Sequence, residues 1–430
     1  MKISFLVCTI IIVISASLLT AQDYTVRNLG TFGKDAIPNA INSNGDVVGY
    51  SYLDSRYFHA FLWTKSGGLQ DLGTLGTDIV GADDISDNGD IAGSAQTQIG
   101  MAAFRWTKDG GMQELGTLNG GYTFATGIDQ AGNIVGGSAL NGTGGFQAVL
   151  WSGGNILDLG NLGDSIDDSW ATAINDKGEI TGMSDLGNST SHAFLWTQND
   201  GMKDLGTLGG AYSRAGGINN ATEIVGFANL PSGPRRAFLW TRTTGMKDLG
   251  TLGGTSSSAT KINNRGQVVG EATLPDETSS AFLWSKTGGM LDLRKHVPAK
   301  WVLLTGQDIN DAGQIVATAH LGIGKRRQAV LLTPVMATTL TSSKNPSQMG
   351  EAVTLRVTVG NAIQGPPPDG EIVTLKDGWK ILVQVPLHGG VAEFTTSQLN
   401  VHSHSIRAFY SGDTNYNSSK SAIVLQVVQQ

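Results

Sequence analysis

Residues 24–33 read YTVRNLGTFG, and they stand ahead of the first complete repeat of this sequence. Nearly the same wording returns as GMKDLGTLGG at 201–210 and again at 245–254, each time behind an apolar run that contains a tryptophan. At 24–33 no such run precedes it. How this stray piece is read decides the fold.

A second word counts the repeat. INSNGDVVG at 41–49 recurs in altered form at Ile85, Ile128, Ile174, Ile218, Ile262 and Ile309, with spacings of 44, 43, 46, 44, 44 and 47 residues. Seven units of about 45 residues have the length of four-stranded propeller blades. In the fourth unit the strand-like pieces are SWATAIN (169–175), GEITGMS (178–184), HAFLWT (192–197) and GMKDLGTL (201–208). Short Asn-, Asp- and Gly-bearing turns separate the first from the second and the third from the fourth, as in antiparallel hairpins.

Such units could stack as an open solenoid or close as a ring. The seventh unit stops after QAVLLTPV (328–335) and has no fourth strand, whereas 24–33 is a fourth strand without a unit. A first strand that completes the last blade removes the open sheet edge. The expectation is an all-β chain: a seven-bladed β-propeller with four-stranded blades over 22–336, closed by its N-terminal strand.

Trp63, Trp106, Trp151, Trp196, Trp240 and Trp284 share one repeat position, with Leu332 in the seventh unit. Phe61, Phe104, Phe194, Phe238 and Phe282 lie two residues earlier, on the same strand face. Leu62, Leu195, Leu239 and Leu283 face the other way, so both faces are apolar, as sheets sandwiched between neighbours require. The tryptophans therefore read as inter-blade packing rather than sugar platforms. Asp71, Glu114, Asp158, Asp204, Asp248 and Asp292 recur once per unit, too far apart around a ring to share a pocket. They read as loop hydrogen bonders or edge protectors. The turns NSNGD (42–46) and SDNGD (86–90) lack the spaced acids of a calcium loop and read as hairpin turns.

The words HAFLWT, GMKDLGTLGG and INxxGxVVG resemble the HAF-type extracellular repeat family over about 24–335. The resemblance implies a secreted or surface-exposed repeat protein and carries no site residues with it. Histidine occupies the first place of the triplet only at His59 and His192.

After Pro334 the period ends. Residues 337–430 alternate apolar and polar residues in about seven strand-like runs, a β-sandwich count. TLTSSKNPSQMGEAVTL, KDG and FYSGDTNYNSS resemble bacterial Ig-like domains over about 338–430, which implies a spacer or adhesion module. Tyr410 reads as a corner tyrosine, and Asp413 with Asn415 as a turn. His402 and His404 precede a strand and share a face, read as a polar face with weak metal binding as the alternative.

Lys2, the apolar run Ile3–Ile14 and a small residue at Ala21 read as a signal peptide over 1–21, too short for a transmembrane helix. Cys8, the single cysteine, lies inside it, so the mature chain has no disulfide, thiolate metal site or thiol nucleophile. Loss of Lys2 takes the net charge from −7 to −8, which argues against nucleic-acid partners. The expected location is secreted or cell-surface, with the periplasm as a variant, and the expected state is a monomer without a transmembrane segment.

The first-to-second and third-to-fourth turns of every unit share one rim. The other rim carries the variable loops, where function is placed. There Trp170, Trp301, Tyr212 and Tyr122 offer aromatic faces, Asp167 and Asp168 offer hydrogen bonds or a Ca²⁺ site, and Arg235 and Arg236 offer positive charge. The functional expectation is a non-enzymatic binding or adhesion protein whose rim takes an extracellular glycan or surface protein. The alternative is an extracellular polysaccharide hydrolase or lyase with one propeller cleft. No GxSxG or HExxH motif occurs.

Overall fold

The computed structural model describes residues 23–119, 121–140, 145–163, 168–187, 190–322, 326–413 and 415–430. The signal-peptide reading of 1–21 and the site residue Asp167 lie outside these. The described residues are almost all strand and turn, with a single 3-10 turn at Leu293–His296. No helix among them is long and apolar enough to cross a membrane.

Residues 24–334 form seven four-stranded antiparallel sheets. In the fourth, the strands a, b, c and d are Ser169–Ile174, Ile180–Asp185, Ser191–Thr197 and Gly201–Asp204. The other complete sheets span 36–71, 80–114, 123–158, 213–248 and 257–292, and are called sheets 1, 2, 3, 5 and 6. Sheet 7 contains Trp301–Ile309, Ile315–Leu321 and Gln328–Pro334, and its fourth strand is Tyr24–Asn28. Tyr24 pairs with Pro334 and Asn28 with Val330. The stray piece therefore closes the last sheet, and sheet 7 in turn packs on sheet 1. The result is a β-propeller.

The packing follows from strand alternation. Phe61, Phe104, Phe194, Phe238 and Phe282 are fully buried, and Trp63, Trp151, Trp196 and Trp240 nearly so. Phe238 and Trp240 of sheet 5 pack against Ala193 and Leu195 of sheet 4, so the two faces of each c strand serve different interfaces.

The d strands are shorter than the sequence suggests, ending at Asp204 in sheet 4. Asp204 Oδ1 accepts from the main-chain N–H of Gly206 at 2.7 Å and bends the chain there. Gly206 takes φ +74°, a conformation that a side chain strains. Leu205 then tucks in, 7% exposed, and Ser213 of the next sheet donates to the Gly206 carbonyl at 2.6 Å. Asp71, Asp158 and Asp248 make the same bond to Gly73, Gly160 and Gly250. DLGTLGG is thus the crossing from one sheet to the next. The triplet's histidine pairs with the same acid: His59 with Asp71 at 2.7 Å and His192 with Asp204 at 2.9 Å.

The C-terminal domain is a sandwich. Ala337–Ser342, Val353–Gly360 and Val391–Thr396 form one sheet, and a six-stranded sheet faces it around Leu355, Val357, Leu375 and Ile406. Asp413 Oδ1 accepts from the N–H groups of Asn415 and Tyr416, which makes that segment a turn. The sandwich is hydrogen-bonded to the a–b turn rim of the ring. Gln364 Oε1 accepts from Gln267 Nε2 at 2.8 Å, and its amide donates to the hydroxyl of Tyr24. Asn361 Nδ2 donates to the carbonyls of Asp23 and Val335. The opposite rim is left clear of these contacts.

Candidate functional site

Every a strand carries an extra residue at one shared position. The register shifts there at Asn39, Asp83, Thr126, Thr172, Gly216, Thr260 and Gln307, and sheet 7 has a second shift at Leu304. A bulge of this kind re-aims a side chain. All seven positions line one cavity on the ring axis, with a volume of about 360 Å³. Four of these residues also tie neighbouring sheets together. Asn39, Thr126, Thr172 and Thr260 donate to the carbonyls of Ala82, Ala171, Ala215 and Gly306 at 2.6–3.0 Å.

The next residue along is small in four sheets and charged in three: Asp84, Lys261 and Asp308. Asp84 Oδ2 accepts from the N–H of Ile128 at 3.1 Å, and Asp308 Oδ2 from the N–H of Ile41 at 2.9 Å. Lys261 Nζ lies 3.9 Å from Asp84 Oδ2. Burial pushes Asp83 up to about 7, reinforced by Asp84 and opposed by Lys261. Burial likewise pushes Asp308 up to about 6, with Lys261 opposing. Burial would lower Lys261, yet the surrounding Asp84, Asp308 and Asp83 leave it raised. The throat holds one lysine among three carboxylates.

Above the throat, on the b–c and d–a rim, lies an aromatic and cationic patch. Arg214 and Phe227 line the cavity. The Arg214 guanidinium stands 5.9 Å from the Trp170 ring. Tyr212 stacks on Phe227 at 5.6 Å, and its hydroxyl donates to Met183 Sδ at 2.9 Å. Arg235 lies 5.4 Å from the Phe227 ring and pairs with Glu271 at 2.7 Å. The structure therefore brings Trp170, Tyr212 and Arg235 into one patch, joined by Arg214 and Phe227.

The remaining rim residues lie elsewhere. Trp301 is only 6% exposed and packs with Leu303, Val297 and Leu293 in the core of sheet 7, so its ring is not offered to a ligand. The rim reading of Trp301 is corrected on that ground: the 3-10 turn before it folds the indole inward. Asp168 accepts from the N–H of Phe146 at 2.6 Å and joins sheets 3 and 4. Arg236 sits 3.7 Å from Asp248 across its own sheet. Tyr122, 55% exposed, lines a separate cleft of about 550 Å³ with Ile99, Met101 and Phe146. Among the described residues, the one group of His and acidic side chains close enough to share a metal ion is Asp377, His402 and His404, in the sandwich and not on this rim.

The throat lies on strands, away from the variable loops to which repeat departures point. A signal was present: the residue two before each anchoring isoleucine is polar or Gly in all seven units. At the other end of the axis the IN word acquires its meaning. Asn175 Oδ1 caps its own hairpin by accepting from the N–H groups of Lys177 and Glu179, and its Nδ2 donates to the Asn219 carbonyl of the next sheet. Asn42, Asn219, Asn263 and Asn310 repeat the inter-sheet bond.

The C-terminal domain matches a known family. Residues 340–429 match the model of the bacterial Ig-like domain (group 3). No curated protein matches the chain. Among solved structures it is similar to a prolyl endopeptidase, with TM-score 0.45 and 11% identity over 80% of this chain and 56% of that one. It is also similar to TolB from Acinetobacter baumannii, with TM-score 0.40 and 12% identity over 71% of this chain and 65% of that one. A third is the extracellular domain of a putative hybrid two-component system from B. thetaiotaomicron, with TM-score 0.42, 10% identity and 91% and 57% coverage. This chain thus spans 56 to 65% of the length of these three.

Proposed function

We propose that the chain is an exported, seven-bladed β-propeller of the HAF-repeat type that binds an extracellular glycan or surface protein without cleaving it. The supporting observation is the continuity between the Trp170–Arg214–Phe227–Tyr212 patch and the polar throat beneath it. Aromatic faces beside a few convergent polar groups are the usual build of a site for ring-bearing polar ligands. The bacterial Ig-like family of residues 340–429 and the signal-peptide reading support a location at or beyond the cell surface. The sandwich, docked on the opposite rim, leaves the patch free to meet a ligand.

Glycoside cleavage calls for two carboxylates that exchange protons with the substrate. Asp84 and Asp308 are committed to main-chain N–H groups of neighbouring sheets, which favours binding over hydrolysis.

The test is a screen of the purified chain against bacterial and plant polysaccharides, scored for retention and for new reducing ends. Retention without cleavage is expected, and Trp170→Ala and Arg214→Ala should each weaken it at least tenfold. Full binding by both variants would overturn the site. Reducing ends that vanish in Asp83→Asn would replace the binding reading with a hydrolase.

A further inference from the structure

The Lys-Asp-Gly turn of the sandwich places an acid beside two histidines. Strand Ile372–Asp377 pairs with strand Ser403–Tyr410, with Asp377 opposite Ile406. Asp377 Oδ1 accepts from the N–H of Ser405 at 2.9 Å, which fixes the carboxylate. Its Oδ2 lies 2.6 Å from His404 Nδ1. His404 is 3% exposed, and its Nε2 is 3.0 Å from the Asn400 carbonyl. A carbonyl only accepts, so Nε2 carries a proton and donates. Nδ1 then faces a carboxylate oxygen, a second acceptor, so at this distance a proton lies between them, in the place a metal cation could take.

His402 supplies the third donor. It is exposed, its ring centroid is 3.8 Å from that of His404, and among the described residues its imidazole has no hydrogen-bond partner. Ligand atoms of Asp377, His402 and His404 all fall within 4.8 Å of one another.

We infer that Asp377, His402 and His404 form a binding site for a divalent transition-metal ion of the zinc type. Two imidazoles and one carboxylate are a borderline N/O donor set that suits Zn²⁺ and its neighbours and not Ca²⁺ or Mg²⁺. The metal takes Nδ1 of His404, an oxygen of Asp377 and a nitrogen of His402, and water completes the shell. Metal–ligand bonds of about 2.0–2.1 Å in a tetrahedron require the His404–Asp377 pair to open to roughly 3.3 Å. The Nε2–H···O=C bond to Asn400 is the outer contact that orients ligating histidines, and it is already in place. Bound metal would clamp the turn after Asp377 to segment 400–404 and stabilise the domain by mass action.

The experiment is a titration of the untagged full chain, stripped of metal, with Zn²⁺, and with Co²⁺ as a visible probe. One equivalent should bind, give the absorption of a tetrahedral Co²⁺ site and raise the melting temperature. His402→Ala removes only an exposed side chain, so the fold should keep its circular dichroism while affinity drops at least tenfold and the thermal shift disappears. Asp377→Asn should weaken binding similarly. Unchanged affinity in His402→Ala, or no stoichiometric binding by the parent chain, would overturn the site.

Discussion

The side-chain amide of Asn310 donates a 3.0 Å hydrogen bond to the main-chain carbonyl of Asn42, 268 residues away in the chain. It is the closing link of a belt of turns in which each sheet grips the next. Most of the other links run the same way: Asn42 to Ser86, Asn175 to Asn219, Asn219 to Asn263 and Asn263 to Asn310. Asn310→Asp keeps the cap of its own turn and deletes the donor. It should cost about 1–3 kcal/mol, the penalty for a buried carbonyl left unpaired, measured by urea denaturation.

The belt lacks its asparagine at Ser86 of sheet 2 and at Asp129 of sheet 3. Asp129 has no proton to donate, while Asn133 donates to it at 2.7 Å. Asp129→Asn, with Asn133 turning its amide to accept, supplies the missing donor to the carbonyl of Asn175. A gain of roughly 0.5–1.5 kcal/mol is expected in the same assay. A loss of stability would show that the two turns are not in register for that bond.

The throat predicts a pH dependence. Asp83 has a folded-state value of about 7 against an ordinary 3.8, so folding takes up a proton. Its contribution is neutral below about pH 4 and becomes increasingly unfavourable as pH rises from about 4 to about 7. Asp83→Asn should therefore stabilise the protein at pH 8 by about 1–4 kcal/mol and do little at pH 4.5. Melting curves at the two pH values decide it, and an equal effect at both would contradict a raised Asp83.

The two tryptophans offered as ligand platforms should part company. Trp301 is packed in the core of sheet 7, and Trp301→Ala should cost about 3–5 kcal/mol through the cavity it leaves. Trp170 is half-buried beside Arg214, and its loss should cost less than about 1.5 kcal/mol while weakening the proposed glycan or protein binding at least tenfold. Denaturation of the pair, side by side, checks the contrast.

Much of the ring was legible because packing repeats itself. The tryptophan and phenylalanine positions, the hairpins and the orphan strand at 24–28 follow from periodicity alone, since every blade solves the same burial problem. The throat was not legible as a site, because a bulge is invisible to strand alternation: Asp83 and Thr126 read as ordinary polar residues of a strand until the shifted register puts them on the axis. Trp301 misled for the opposite reason. It stands near a departure from the repeat, but the departure is a 3-10 turn that buries it. Phe227 and Arg214 were overlooked because variation inside a regular strand looks like tolerance, whereas here it decorates the mouth of the channel. His402 and His404 were seen as a pair, but Asp377 lies 25 residues before His402, and only the sheet pairing brings it to them.

The seam between Tyr24–Asn28 and Gln328–Pro334 also sets an order of events. The chain is made from its N-terminus, so its first strand waits for a partner until some 300 further residues have emerged. The entropy of joining such distant segments grows only slowly with their separation, roughly 0.6 kcal/mol per doubling, so the seam is cheap to keep. It is slow to make, because distant pairings delay folding. For the whole of that interval the growing chain carries a bare strand at each end, and a neighbouring copy offers the same strand to either edge. Whatever escorts this protein through synthesis has that window to guard.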